Sequence, residues 1–143
     1  YKEFQEDTFA LGTALLEKDF SKSHIAVIGN NSYDYITVYL TVLKSSGVIV
    51  PIDKELPIND VVNVVNDSDS VVLFYDAKHE KELMENADKM PNIKYFIGFS
   101  RENDEDKFLS FDKFKEAGRK SFKDGNRKYN ELKSNENELK MNE

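Results

Sequence analysis

Apolar positions along the chain change between two spacings, and this change predicts a series of helices and strands. Short continuous apolar runs are typical of buried strands, and they occur at 24–29, 48–52, 71–75 and 95–99. Segments with helical spacing of apolar residues precede or separate these runs, at 1–18, 33–46, 57–66 and 77–89. The αβαβαβαβ order with short connections predicts an α/β fold: a parallel sheet of about four strands with helices on both faces, in the Rossmann/flavodoxin-like three-layer arrangement.

Each predicted helix has an apolar face that we expect to contact the sheet. The helix at 33–46 is apolar around most of its circumference, which indicates burial on more than one side. For the other three helices the predicted inner faces are Phe4, Thr8, Leu11 and Leu15; Ile58, Val61, Val62 and Val65; and Leu83, Met84 and Ala87.

Residues 43–53 (LKSSGVIVPID) predict the end of a helix, a tight turn and a strand. Gly47 is suited to the position just after a helix, because it lacks a Cβ. The β-branched residues that follow favour a central strand that is covered on both faces. Pro51 has no backbone N–H and therefore marks the place where the hydrogen-bonded ladder ends.

Beyond residue 100 the chain becomes more polar, and the pattern divides it into three parts. Residues 1–100 form the predicted α/β unit. Residues 101–123 comprise an acidic loop and a short helix, with Phe111, Phe114, Gly118 and Phe122 at helical spacing. Residues 124–143 lack a periodic apolar pattern and are predicted to be a polar, flexible tail.

The composition excludes several classes of function. The net charge of −7 argues against nucleic acid and anionic membranes as partners. The chain has no cysteine, which removes disulfides, thiolate nucleophiles and Cys-based zinc sites. No apolar run approaches the ~20 residues that span a bilayer, and no signal peptide is visible. A cytoplasmic protein is therefore expected, with an N-terminus that begins at Tyr1 through trimming.

The strongest local signal for a site is the junction between the first strand and the following helix, at residues 29–32. A helix N-terminus has free N–H groups and a positive dipole end, which suit a phosphate or carboxylate, and Asn31 and Ser32 are the candidate binding residues. The alternative is that Asn31 or Ser32 only caps its own helix, which is the commoner use of these residues. Neither GxGxxG nor GxxxxGK[ST] occurs, so nucleotide binding has no motif here.

Two aspartates and two histidines are further candidates. Asp53 and Asp76 follow the second and third predicted strands and could face one crevice, where they could hold Mg²⁺ or act as acid and base. A structural role in a turn or cap is the favoured alternative for both. His24 and His79 show no spacing that pairs them with an acid, so neither is assigned to a metal site or a catalytic triad. No catalytic residue and no metal ligand is assigned.

Three segments in order resemble the adenylate-forming (AMP-binding) synthetase superfamily. Residues 1–4 (YKEF) resemble its first core motif, and residues 43–53 resemble its second, with Ser45 and Ser46 where the family more often has Ala and Gly. Between them, residues 25–33 (IAVIGNNSY) are similar to the family's strand and Asn-Ser helix start. Residues 51–57 (PIDKELP) are most similar to bacterial long-chain fatty-acid–CoA ligases.

The resemblance implies the N-terminal segment of an AMP-forming acyl-CoA synthetase that converts ATP, a carboxylic or fatty acid and CoA to acyl-CoA, AMP and pyrophosphate. It implies ATP, Mg²⁺ and CoA as cofactors of the parent enzyme. The family's Ser/Thr/Gly-rich phosphate loop does not occur in these 143 residues. We therefore expect this chain to be inactive alone and to bind no cofactor. Its expected partner is the remainder of the same polypeptide, and self-association through an exposed surface is a further expectation.

Two other classes of function remain open. The chain could be a free-standing flavodoxin-like module that binds an anion or nucleotide at residues 29–32. It could also be a purely structural or interaction domain.

Overall fold

The computed structural model describes residues 2–20, 23–45 and 47–125. These residues form a five-stranded parallel sheet with the strand order β2-β1-β3-β4-β5. The elements are α1 (Lys2–Glu17), β1 (His24–Ile28), α2 (Tyr33–Lys44), β2 (Val48–Ile52), α3 (Ile58–Asp67), β3 (Val72–Tyr75), α4 (Glu80–Asn86), β4 (Tyr95–Gly98), β5 (Phe108–Ser110) and α5 (Phe111–Lys123). Short 3-10 turns at Ala77–His79 and Ala87–Lys89 flank α4, so the helix predicted at 77–89 is present in three parts.

The sheet separates two hydrophobic layers, as the predicted three-layer fold requires. Alternate residues of β1 supply both layers: Ile25 and Val27 face α1, α2 and α5, whereas Ala26 and Ile28 face α3 and α4. All four of these side chains are at most 1% exposed. A strand that is buried on both faces has a continuous apolar run, which is why its sequence predicted it correctly.

The helices bury most of the predicted inner faces, with two exceptions. Met84 is 43% exposed, so its place on the inner face of α4 was a wrong prediction. On α2, Ile36 and Leu43 are 47% and 46% exposed, although burial on more than one side was predicted. Within the described residues, α2 is covered only on the side that contains Val38 and Val42.

The prediction of β2 as a central strand is wrong, because β2 lies at one edge of the sheet and pairs with β1. Val48 is 46% exposed and Pro51 is also exposed. Proline is tolerated at a sheet edge, where its missing N–H can face away from the neighbouring strand. Only Ile52 of β2 is buried, so the predicted cover on both faces is also incomplete. The apolar run does not report whether a strand lies on each side.

The four predicted strands are present, and the structure adds β5, which the sequence analysis placed outside the sheet. β5 pairs in parallel with β4, and Phe108 stacks on Phe96 with ring centroids 4.7 Å apart. Ser110 then caps α5, whose Phe111 and Phe114 are buried as the helical spacing predicted.

A buried ion cluster joins the three helices on one face of the sheet. Asp7 of α1 is 4% exposed and forms a salt bridge with Arg119 of α5. Lys115 lies 3.7 Å from the same carboxylate oxygen, and the Tyr33 hydroxyl donates a 2.7 Å hydrogen bond to the other oxygen. Close packing supports this arrangement, since Gly118 of α5 lies directly against the backbone of α1. The cluster fixes Tyr33, the first residue of α2, next to the strand–helix junction.

In the parts of the chain that the structure describes, no helix is long and apolar enough to cross a bilayer. The predicted flexibility of residues 124–143 lies almost wholly outside the described residues. The same holds for Tyr1 and Ser46 of the two core motifs.

Candidate functional site

The loops that follow β1, β2 and β3 meet at the carboxyl ends of the strands, where ligands bind in open parallel sheets. Gly29 ends β1 with a φ of +147°. A Cβ at this position would lie only 2.9 Å from Oδ2 of Asp76. The missing side chain therefore lets the Asp76 carboxylate approach the backbone, where it accepts a 3.2 Å hydrogen bond from the N–H of Asn30.

Asp76 also pairs with His79, which is 9% exposed. The distance between His79 Nδ1 and Asp76 Oδ1 is 2.5 Å, and His79 Nε2 lies 3.4 Å from the backbone carbonyl of Lys54. One aspartate and one histidine thus join all three loops. The sequence analysis found no acidic partner for His79, although the separation of three residues from Asp76 was visible in the sequence.

The loop after β2 adds a positive charge to this edge. The Lys54 ammonium donates a 2.5 Å hydrogen bond to Oδ1 of Asn30. Asp53 is exposed, and its Oδ1 accepts a 2.9 Å hydrogen bond from the N–H of Glu55, which is a turn of the kind predicted for it. Asp53 and Asp76 are therefore both engaged within or between loops, and the side chain of Asp76 does not cap the helical turn that follows it.

The structure gives Ser32 a definite local role. Its hydroxyl accepts a 3.2 Å hydrogen bond from the N–H of Tyr35 and caps α2, as the alternative interpretation proposed. Asn31 is exposed beside it. The binding of an anion by Asn31 or Ser32 stays a prediction.

A second polar network lies beside this edge and includes the last residue of β3. The buried Tyr75 hydroxyl donates a 2.8 Å hydrogen bond to Oε1 of Glu80, which also accepts one from Arg101 at 2.8 Å. The hydrogen bond from Arg101 lowers the pKa of Glu80, whereas burial raises the pKa of Tyr75. Gly98 is required here, because a Cβ would lie 2.7 Å from the Tyr75 hydroxyl. This network fixes the start of α4 rather than presenting free groups to a ligand.

His24 lies at the other end of β1, away from the strand ends that carry the candidate site. Its Nδ1 is 2.6 Å from the carbonyl oxygen of Ser68, so it joins β1 to the end of α3.

These groups are suited to shaping loops and to offering positive charge to an anion. The N-terminus of α2 and the ammonium of Lys54 supply that charge. Within the ranges that the structure describes, no three His, Asp or Glu side chains converge as metal ligands. Both oxygens of Asp76 already accept a hydrogen bond or pair with His79, so this carboxylate joins the loops.

Comparison with solved structures finds similar folds in ligases and a reductase domain. The anthranilate CoA ligase AuaEII in complex with anthranoyl-AMP has a TM-score of 0.74 at 14% sequence identity, with 81% of this chain and 22% of that chain covered. The A-PCP didomain of carboxylic acid reductase from Segniliparus rugosus, in complex with AMP, has a TM-score of 0.73 at 17% identity, with 83% and 20% covered. A long-chain-fatty-acid-CoA ligase from Archaeoglobus fulgidus has a TM-score of 0.71 at 20% identity, with 81% and 22% covered.

At these identities the structural similarity establishes the fold, which is that of the N-terminal subdomain of adenylate-forming enzymes. The chain spans 20–22% of the length of these three structures. A comparison with curated proteins gives no match. The family model described as AMP-binding enzyme matches residues 1–138. The chain therefore belongs to the AMP-binding enzyme family.

Proposed function

We propose that this chain is the N-terminal region of an AMP-forming acyl-CoA synthetase of the long-chain fatty-acid class. The observation that carries the proposal is the family match over residues 1–138 of 143. The fatty-acid class is supported by the similarity of residues 51–57 to long-chain ligases, with a long-chain-fatty-acid-CoA ligase among the structures of similar fold.

The parent reaction has two steps. A carboxylate attacks the α-phosphate of ATP, which forms an acyl-adenylate and releases pyrophosphate. The thiol of CoA then attacks the acyl carbon, and AMP leaves. In the parent enzyme a bound Mg²⁺ would offset the phosphate charge, and the remainder of the polypeptide would hold it.

In this proposal no catalytic group comes from the described residues. The loops joined by Asp76 and His79 give this region a fixed edge, and the remainder of the polypeptide supplies the groups that hold ATP, Mg²⁺ and CoA. The 143-residue chain alone is inactive and cytoplasmic. Its exposed apolar side chains on α2, Ile36 and Leu43, lie on one face of the helix and form a surface for the remaining domains or for self-association.

The proposed domain organisation follows from the same reasoning. Residues 1–100 form the α/β subdomain, and 101–123 form an acidic loop and helix attached to it. Residues 124–143 lead toward the phosphate-binding loop. The first test is the gene sequence after Glu143: a Ser/Thr/Gly-rich loop such as STSGTTG within a short distance is expected, and a stop codon there would contradict the proposal.

An exchange assay tests the activity. A polypeptide that continues beyond residue 143 through the phosphate loop and the C-terminal domain should exchange labelled pyrophosphate into ATP when a fatty acid is added. The 143-residue chain should show no exchange. A longer polypeptide that folds but exchanges nothing with fatty, aryl or amino acids would overturn the assignment to adenylate formation. Exchange with an aryl or amino acid alone would overturn only the fatty-acid class.

The alternative is a free-standing flavodoxin-like module that binds an anion or nucleotide. It is favoured by the capped N-terminus of α2 next to Lys54. Saturable binding of ATP, AMP or phosphate by the 143-residue chain would support it.

A further inference from the structure

The outer edge of β2 is exposed and contains a proline, Pro51, which is uncommon within strands. Within the described residues, β2 pairs with β1 and no strand pairs with its other side. Such an edge offers unpaired backbone groups to another chain. Apolar side chains flank it, since Leu43 of the adjacent α2 and Val48 are each 46% exposed. By these criteria β2 should attract a further strand.

The register shows which backbone groups point outward. The N–H of Val48 donates a 3.1 Å hydrogen bond to the carbonyl of Ser23, which lies on the β1 side. Successive residues of a strand direct their backbone groups to opposite sides. Val50 therefore also faces β1, whereas Ile49 and Pro51 face outward.

This placement removes a donor from the exposed edge. A strand that is added to β2 would need N–H groups from successive outward residues. Ile49 supplies one N–H, but Pro51 has none, and its ring fills the space where the hydrogen would lie. The proline thus leaves every hydrogen bond between β1 and β2 possible while it interrupts the outer side.

We propose that Pro51 prevents β2 from pairing with the β2 strand of a second copy of this chain. A second copy is the relevant occupant, because it presents the same strand, and the flanking apolar side chains would pack against their counterparts. The inference concerns backbone pairing at the edge and does not depend on the proposed function. It differs from association through Ile36 and Leu43 of α2 because it requires backbone hydrogen bonds at β2, although Leu43 borders both surfaces.

The test compares Pro51→Val with Pro57→Val. Pro57 is a second exposed proline, at the start of α3, so its replacement has a similar effect on the flexibility of the unfolded chain without adding a donor to β2. Sedimentation velocity should show self-association at least about tenfold tighter for Pro51→Val than for the wild-type chain, because the N–H restored at position 51 of each copy gives a pair of copies two further backbone hydrogen bonds. Pro57→Val should match the wild type.

Amide hydrogen exchange identifies the pairing. In Pro51→Val at high concentration the N–H of Ile49 should become protected. In the wild type the N–H of Ile49 should exchange rapidly, while that of Val50 is protected. Three results would each overturn the proposal. The first is that Pro51→Val associates no more tightly than the wild type, and the second is that it associates no more tightly than Pro57→Val. The third is that Pro51→Val associates without protection of the Ile49 N–H. Protection of Ile49 in the wild-type chain would do the same, and this measurement requires no variant to fold.

Discussion

Gly29→Ala should destabilise the protein through two separate effects at the end of β1. A φ of +147° is accessible to glycine but strained for alanine, at a cost of ~1–3 kcal/mol. The added Cβ would lie 2.9 Å from Oδ2 of Asp76, so the carboxylate must move away from the N–H of Asn30. Loss of this exposed hydrogen bond adds ~0.5–1.5 kcal/mol. The free energy of unfolding should therefore fall by about 1.5–4.5 kcal/mol.

Urea unfolding followed by circular dichroism measures this change directly. For a chain of this size the melting temperature should fall by about 5–15 °C. A loss of this magnitude is a large part of the ~5–15 kcal/mol that stabilises a typical domain, so the variant should still fold but with a lower midpoint. The slope with urea should stay unchanged, because the two folded states bury similar surface.

Two further variants separate the strain from the contact. Gly125 also has a positive φ, of +112°, but apart from its neighbours in the chain no described residue has an atom within 4 Å of its Cβ position. Gly125→Ala therefore reports strain alone and should destabilise less than Gly29→Ala. Asp76→Ala should relieve the clash, so the double variant Gly29→Ala/Asp76→Ala should be less destabilised than the two single effects added together. Strict additivity, or equal effects at Gly29 and Gly125, would refute the reasoning.

Three other predictions concern the helical face and the network at β3. Gly118→Ala should separate α1 from α5 and cost at least ~1–3 kcal/mol in urea unfolding, because the Cβ would lie 2.0 Å from the carbonyl oxygen of Ala10. Asp7→Ala should cost ~1–3 kcal/mol, since it removes the acceptor for Arg119 from a buried cluster. Tyr75→Phe should change the dependence of stability on pH. Burial raises the pKa of Tyr75 above its ordinary value near 10. The protonated hydroxyl therefore stabilises the fold below pH ~10, and this contribution to stability is lost as the pH rises further. The difference in melting temperature between wild type and Tyr75→Phe should therefore shrink above pH ~10.

Each of these has a control and a contrary outcome. For Gly118→Ala, the control is Ala117→Ser, which changes an exposed residue of the same helix and should leave stability unchanged. Equal losses in the free energy of unfolding for the two variants would argue against the close contact. For Asp7→Ala, raising the salt concentration should not abolish the loss of stability, because salt screens buried ion pairs weakly. For Tyr75→Phe, all other groups are common to the two proteins, and a difference in melting temperature that grows above pH ~10 would contradict the assigned direction.

Much of the fold followed from residues whose neighbours lie above and below the sheet. The runs at β1 and β3 predicted strands correctly, because strands that are buried on both faces are apolar without alternation. β5 was missed since it has three residues and follows an acidic loop, and its pairing depends on Phe96, which is distant in sequence. β2 was placed at the centre because apolar composition does not report lateral neighbours; only Pro51 carried that signal.

In the candidate site, too, some contacts were predictable from the sequence and others were not. Ser32 as a cap and Asp53 as a turn residue were predictable, since their partners lie two or three residues away. The pair of Asp76 and His79 was also within reach, at a separation of three residues. The contact between Lys54 and Asn30 was not, because the loops that bring these residues together are set by the strand order.

We propose that this region has the fold of an adenylate-forming enzyme and that the groups which bind the nucleotide lie elsewhere in the polypeptide. Calorimetric titration of the 143-residue chain with Mg²⁺–ATP should therefore give heats of dilution only, at chain concentrations where circular dichroism shows the folded protein. A saturable isotherm of one nucleotide per chain, weakened by Lys54→Ala, would contradict it and would favour a self-contained binding module.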